Sequence, residues 1–253
     1  MLRIRQEQID QLEQGVMREV ENRMVAHVRQ YLPRYIKLLG EERLRTLARR
    51  ALGRASAQGM VTESSATLFL DLMLLLGSDF DSDPQLPFVA RVLGDPALGD
   101  EIERAAILYR EAKQYRAAVA GENSEHMLAA LRRLRDFPLT WAAPHSPDEF
   151  REQLIWRLRE LFPEKAADLG EAGLNHLLRR SFQAAAECGL RSVPAVALVS
   201  ALMLVAGTGI LDDPRFPVVR EIISDQAADP AQRLARLQAA MVAEIDRWLA
   251  ARS

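Results

Sequence analysis

Residues 193–211 read VPAVALVSALMLVAGTGIL, 19 positions without a charge. That run is long enough to cross a bilayer, and it is equally what the central helix of a globular bundle looks like. A second stretch, ESSATLFLDLMLLLGSDFD at 63–81, lies 130 positions earlier and shares its Leu-Met-Leu and its glycine. It carries Glu63, Asp71, Asp79 and Asp81. A carboxylate such as Asp71 in mid-helix is costly in hydrocarbon. The pair therefore reads as two copies of a buried core helix, and no membrane span is expected.

Working outward, the offset of 130 holds without a gap from Val20 to Asp95, with 21 of the 76 aligned pairs identical. Leu39-Gly40-Glu41 falls on Leu169-Gly170-Glu171, Arg49-Arg50 on Arg179-Arg180, Gly59 on Gly189 and Gly77 on Gly207. Asp83-Pro84 meets Asp213-Pro214 and Pro87 meets Pro217. A repeat of about 110 residues is too long for a solenoid unit and suits a small domain. The expected organisation is an internal tandem duplication: unit one at 1–136, a linker at 137–146 around Trp141, and unit two at 147–253.

Apolar spacing of three and four runs through each unit, and no segment alternates with period two, so the fold class is all-α, two helical bundles. Ile9, Leu12, Val16, Val20, Met24 and Val28 mark a first helix that Pro33 ends. A helix at 41–58 buries Leu44, Leu47, Ala48, Ala51, Leu52 and Ala55 before Gly59. Its counterpart buries Leu174, Leu177, Leu178, Phe182 and Ala185 before Gly189. Core helices follow at 64–76 and 194–206, then Asp-Pro loops, short helices from Pro87 and Pro217, and long helices at 100–120 and 230–251. Unit one adds a helix at 123–135, and Pro163 ends a shorter helix at 147–162.

The composition excludes several functions. In 253 residues, 33 Lys and Arg face 35 Asp and Glu, a net charge of −2 that gives no general reason to bind nucleic acid. One cysteine rules out a disulfide framework or a Cys-rich metal site. The basic residues are arginine except Lys37, Lys113 and Lys165, a skew that fits a GC-rich bacterial genome. The first residues have no apolar run of the signal-peptide kind, which points to the cytoplasm. His27, His126, His145 and His176 have no ligand spacing, Cys188 has no adjacent base, and no nucleophile-elbow or phosphate-loop motif occurs. No catalytic residue, metal or cofactor is expected.

Asp79, Phe80, Asp81 and Asp83 form the densest acidic feature. Carboxylates at alternate positions resemble the start of a calcium loop, but Pro84 stands where that loop needs Gly and Ala90 where it needs Glu. The plainer reading is an Asp-Pro turn. Arg49 or Arg50 is expected to hold Asp83, and Arg179 or Arg180 to hold Asp213, each within its own unit, through paired guanidinium–carboxylate forks.

Asp71-Leu72-Met73, Gly77, Asp79-Phe80-Asp81, Asp83-Pro84 and Pro87-Phe88, with Leu39-Gly40-Glu41 and Gly59, resemble a group of uncharacterised all-helical bacterial proteins. These are often encoded beside type VI secretion spike and effector genes, and the resemblance covers roughly residues 1–115. Unit two departs from it at Gly209 and Leu211, where unit one has Asp79 and Asp81. The resemblance implies a cytoplasmic helper, either an adaptor, an effector-loading factor or an immunity-like partner. The expected function is a non-enzymatic protein-binding adaptor with the acidic loop as its contact. A cation-dependent hydrolase using residues 79–83 is the alternative.

Overall fold

The computed structural model describes residues 6–141 and 144–251, with backbone alone for the first nine. The described residues form eleven α-helices and no strand: α1 (Gln6–Tyr31), α2 (Pro33–Ala57), α3 (Glu63–Leu76), α4 (Pro87–Gly94), α5 (Glu101–Ala120), α6 (Glu125–Arg135), α7 (Pro147–Leu161), α8 (Pro163–Glu187), α9 (Val193–Ala206), α10 (Pro217–Ser224) and α11 (Pro230–Ala250). The bounds of α2, α3 and α4 recur in α8, α9 and α10 at an offset of 130.

Local chemistry sets these bounds. Pro33 and Pro163 end one helix and open the next, because a ring nitrogen without N–H fits the first turn. The new helices start there, earlier than the apolar spacing suggested, and each is kinked at Gly40 (φ 77°) or Gly170 (φ 61°). Thr62 and Ser146 cap α3 and α7 by accepting backbone N–H groups, and a capping box of Asp100 and Glu103 opens α5.

In the first half α2 packs against α1 and α3, and in the second α8 packs against α7 and α9. Every residue of α9 from Ala195 to Val205 is buried. At 14 residues it rises about 21 Å, short of the ~30 Å of a hydrocarbon core. Among the described residues no helix is long and apolar enough to cross a membrane.

The cores are divided differently from the expected units. Residues from Met24 to Ala112 make one cluster, while Val119 at the end of α5 and Ala130 and Leu134 of α6 join the cluster of α7–α11. The expected linker joins it too: Phe137 is buried, and Trp141 meets Phe137 at a tilt and Phe150 edge to face, with the Arg157 guanidinium 4.3 Å above its ring. Two apolar expectations fail. Val16 is 59% exposed because the start of α1 runs past the core, and Phe182 is 38% exposed, touching Phe150 by its edge.

Candidate functional site

The halves meet at the turns that follow α3 and α9. Gly77 and Gly207 end these helices with φ of 128° and 100°, a region that L side chains avoid. They also pass close to each other. A Cβ on Gly77 would stand 3.1 Å from the Ala206 carbonyl oxygen, and one on Gly207 would stand 3.4 Å from that of Leu76.

Each turn then places its aspartate on the other half. Asp83 Oδ1 accepts the N–H of Gln85 at 2.9 Å, the expected Asp-Pro turn, and its Oδ2 accepts the N–H of Thr208 at 2.9 Å. Asp213 Oδ1 likewise accepts from Arg215 N at 2.8 Å, and its Oδ2 from Ser78 N at 3.3 Å. The Gln85 amide donates to the Met203 carbonyl at 2.8 Å, and Arg215 Nη1 donates to that of Leu74 at 3.3 Å. This reciprocal exchange leaves both carboxylates buried and hydrogen-bonded, as buried charge requires.

The expected Arg–Asp pairs are therefore corrected. Arg49 binds Glu21, and Arg50 binds Asp79 at 2.6 Å with Asp212 of the other half at 3.7 Å. Asp213 takes Arg215, two residues on, at 2.7 Å. Arg179 and Arg180 are exposed and make no ion pair among the described residues. The reason lies in the turns: each buries its aspartate on the backbone N–H groups of the other half, where no arginine of α2 or α8 makes an ion pair with it among the described residues.

The acidic loop is likewise internal. Phe80 is fully buried with its ring edge on Phe69. Arg54 donates to Asp79 at 2.6 Å, to Asp81 at 2.8 Å and to the Ser82 hydroxyl at 2.9 Å. Asp79 presses on Gly209, where a Cβ would stand 2.1 Å from its Oδ2, so the half that lacks the aspartate supplies the gap it fills. These carboxylates are spent on guanidinium and backbone, and the loop is a clasp rather than a contact surface. Among the described residues no group of three His, Cys, Asp or Glu could hold a metal ion.

Beside the clasp lies a cavity of about 140 Å³, partly open to solvent and walled by both halves. Leu74 and Leu86 come from the first half, Leu202 and Val205 from α9, Leu131 from α6 and Met241 from α11. Its polar lining was not singled out from sequence. Lys165, at the start of α8, is 6% exposed. Burial brings its amine down to about 8, while Asp83 and Asp168 oppose the fall and Arg215 adds to it. Burial also pushes the Tyr115 hydroxyl up, with Asp168 and Asp83 adding to the effect. Trp248 stands with its edge on Tyr35 and its face near Phe216, and Arg34 lies over both Tyr35 and Trp248. One signal for Lys165 was available: it is one of three lysines, at a position where the other half has Tyr35.

No family model, curated protein or solved structure matches the chain.

Proposed function

We propose that this chain is a non-enzymatic binding protein whose binding site is the cavity at the junction. The observation that carries the reading is the cavity itself: mainly apolar walls from both halves, a partly open mouth and a set of charged side chains at its wall, a make-up that suits a ligand with an apolar body. The test uses a small uncharged fluorescent probe, indole. The folded chain is expected to bind it saturably at one site, and Leu131→Trp, which fills the cavity from its rim, is expected to abolish binding with helicity unchanged. A wild-type protein that gives no saturable signal removes the reading.

A second reading rests on α5. Ile102 and Tyr109 are 70% and 58% exposed, and with Ala106 they form an apolar stripe at i, i+4 and i+7. Such a stripe suits a partner protein. The adaptor, effector-loading and immunity-like roles implied by the type VI resemblance belong to this reading, with a secreted effector or spike component as partner. Pairwise binding to the effector and spike proteins of the same genome, lost in Ile102→Glu/Tyr109→Glu and kept in Leu131→Trp, would favour it over the cavity.

A further inference from the structure

We propose that the junction cavity takes an apolar monocarboxylate, a hydrocarbon body with one anionic head, and that Lys165 holds the head. The inference rests on the cavity being a binding site. The walls supply the body's contacts, and a volume of about 140 Å³ compares with the ~150 Å³ of apolar cavities that take up benzene-sized groups.

Lys165 supplies the head's contact. Among the described residues its ammonium has no hydrogen-bond acceptor, and no carboxylate oxygen lies within 4.0 Å. A buried cation in that state is expensive unless something carrying negative charge meets it. The fold does not demand a lysine there, since the first half builds the same helix start with Tyr35.

The other charges on the wall are held to different degrees. Arg215 is paired with Asp213, while Arg116 donates only to the neutral Ser124 hydroxyl and Arg34 lies over two rings; Glu244 accepts from Arg247 through Oε1, and its buried Oε2 has no partner among the described residues. Of the three wall cations without a carboxylate partner Lys165 alone is buried, so a carboxylate carried in by an apolar body meets its ammonium. With its amine at about 8, Lys165 is protonated at neutral pH.

The experiment titrates the full chain with octanoate and with octan-1-ol, which share a body and differ in the head. Wild type is expected to bind octanoate about tenfold tighter, the usual gain from a hydrogen bond to a charged group. Lys165→Met is expected to bind octan-1-ol as wild type does and to lose the octanoate advantage. Lys165→Tyr, which copies the first half, repeats the test should the Met variant not fold. A lysine that only balances Asp83 would leave the ratio between the two ligands unmoved. If octan-1-ol binds and octanoate gains nothing, or if the variants keep the gain, the carboxylate inference is overturned. If neither ligand nor indole binds, the cavity reading itself falls.

Discussion

The turns at 77–85 and 207–215 face each other, make the same backbone exchange and set different side chains beside their aspartates. Asp213 has Arg215 beside it, donating through Nε at 2.9 Å and Nη2 at 2.7 Å. Asp83 has only the neutral Gln85 at the matching position, and the opposite charge that feels it is Lys165, across the junction and out of contact. Where Lys165 stands in the second half, the first half has Tyr35. One turn thus keeps a cation at its own i+2 position, and the other satisfies its carboxylate with backbone N–H groups and a neutral amide. One backbone scaffold tolerates both solutions, because the N–H donors that satisfy the carboxylates do not depend on where the cation sits.

The sharpest way to break that comparison is to remove each i+2 side chain in turn. Arg215→Met leaves Asp213 buried beside no cation and is expected to cost about 3–5 kcal/mol in urea unfolding, as broken buried pairs do. Gln85→Met removes neutral hydrogen bonds and is expected to cost about 1–2 kcal/mol. Equal losses would mean that the two turns are neutralised alike.

Lys165→Met sharpens the other side of the comparison. The amine sits at about 8 in the folded chain against an ordinary 10.5. Between those values the unfolded chain binds more protons, so wild-type stability rises with pH there. The penalty is full below pH 8 and gone above 10.5. Lys165→Met is therefore expected to stabilise the protein by up to about 3 kcal/mol at pH 7 without ligand, with the gain shrinking across that window. Melting temperatures of the two proteins at pH 7, 9 and 10.5 check this, and a gap that does not narrow would count against it.

The smallest effect concerns a stitch that only the first half has. Glu101 accepts the N–H and hydroxyl of Thr62 at 2.7 Å each, and hydrogen bonds from Ser65 and Thr62 hold its carboxyl down to about 2. The N-caps Asp100 and Asp229 correspond at an offset of 129, so at the matching positions the second half has Ser192 and Pro230, and Ser192 makes no side-chain cap. The Glu101 value lies below the ordinary carboxylate value, so its contribution is present above about 4.5 and is lost as pH falls towards 2. Glu101→Gln is expected to cost under ~1 kcal/mol at pH 7, since the site is exposed, and nothing near pH 2. The counterpart change Pro230→Glu should raise stability at pH 7 and not near pH 2 if the stitch is portable, which thermal unfolding would show.

Much of the architecture was legible because its signals are local. Pro33, Pro163, Pro87 and Pro217 open helices wherever the chain goes next, and the Asp-Pro turns take the N–H two residues on without outside help. The site was less legible. Arg54 went unnoticed because its counterpart is Ala184, so the repeat drew attention to Arg49-Arg50 instead. The second core's claim on α6 and Trp141 was hidden because an amphipathic stripe says that a face is buried and not against what.

By itself the sequence determined an all-helical chain, its helix ends and a pattern that returns after 130 residues, since spacing, prolines and glycines act within a turn or two. Only the tertiary structure decided that Asp83 reaches Thr208, 125 positions away, that Asp79 fills the gap at Gly209, and that Lys165 faces a chamber walled by both halves. A buried polar group must find its partner among whatever packing brings near it, and that is settled between elements far apart in the chain.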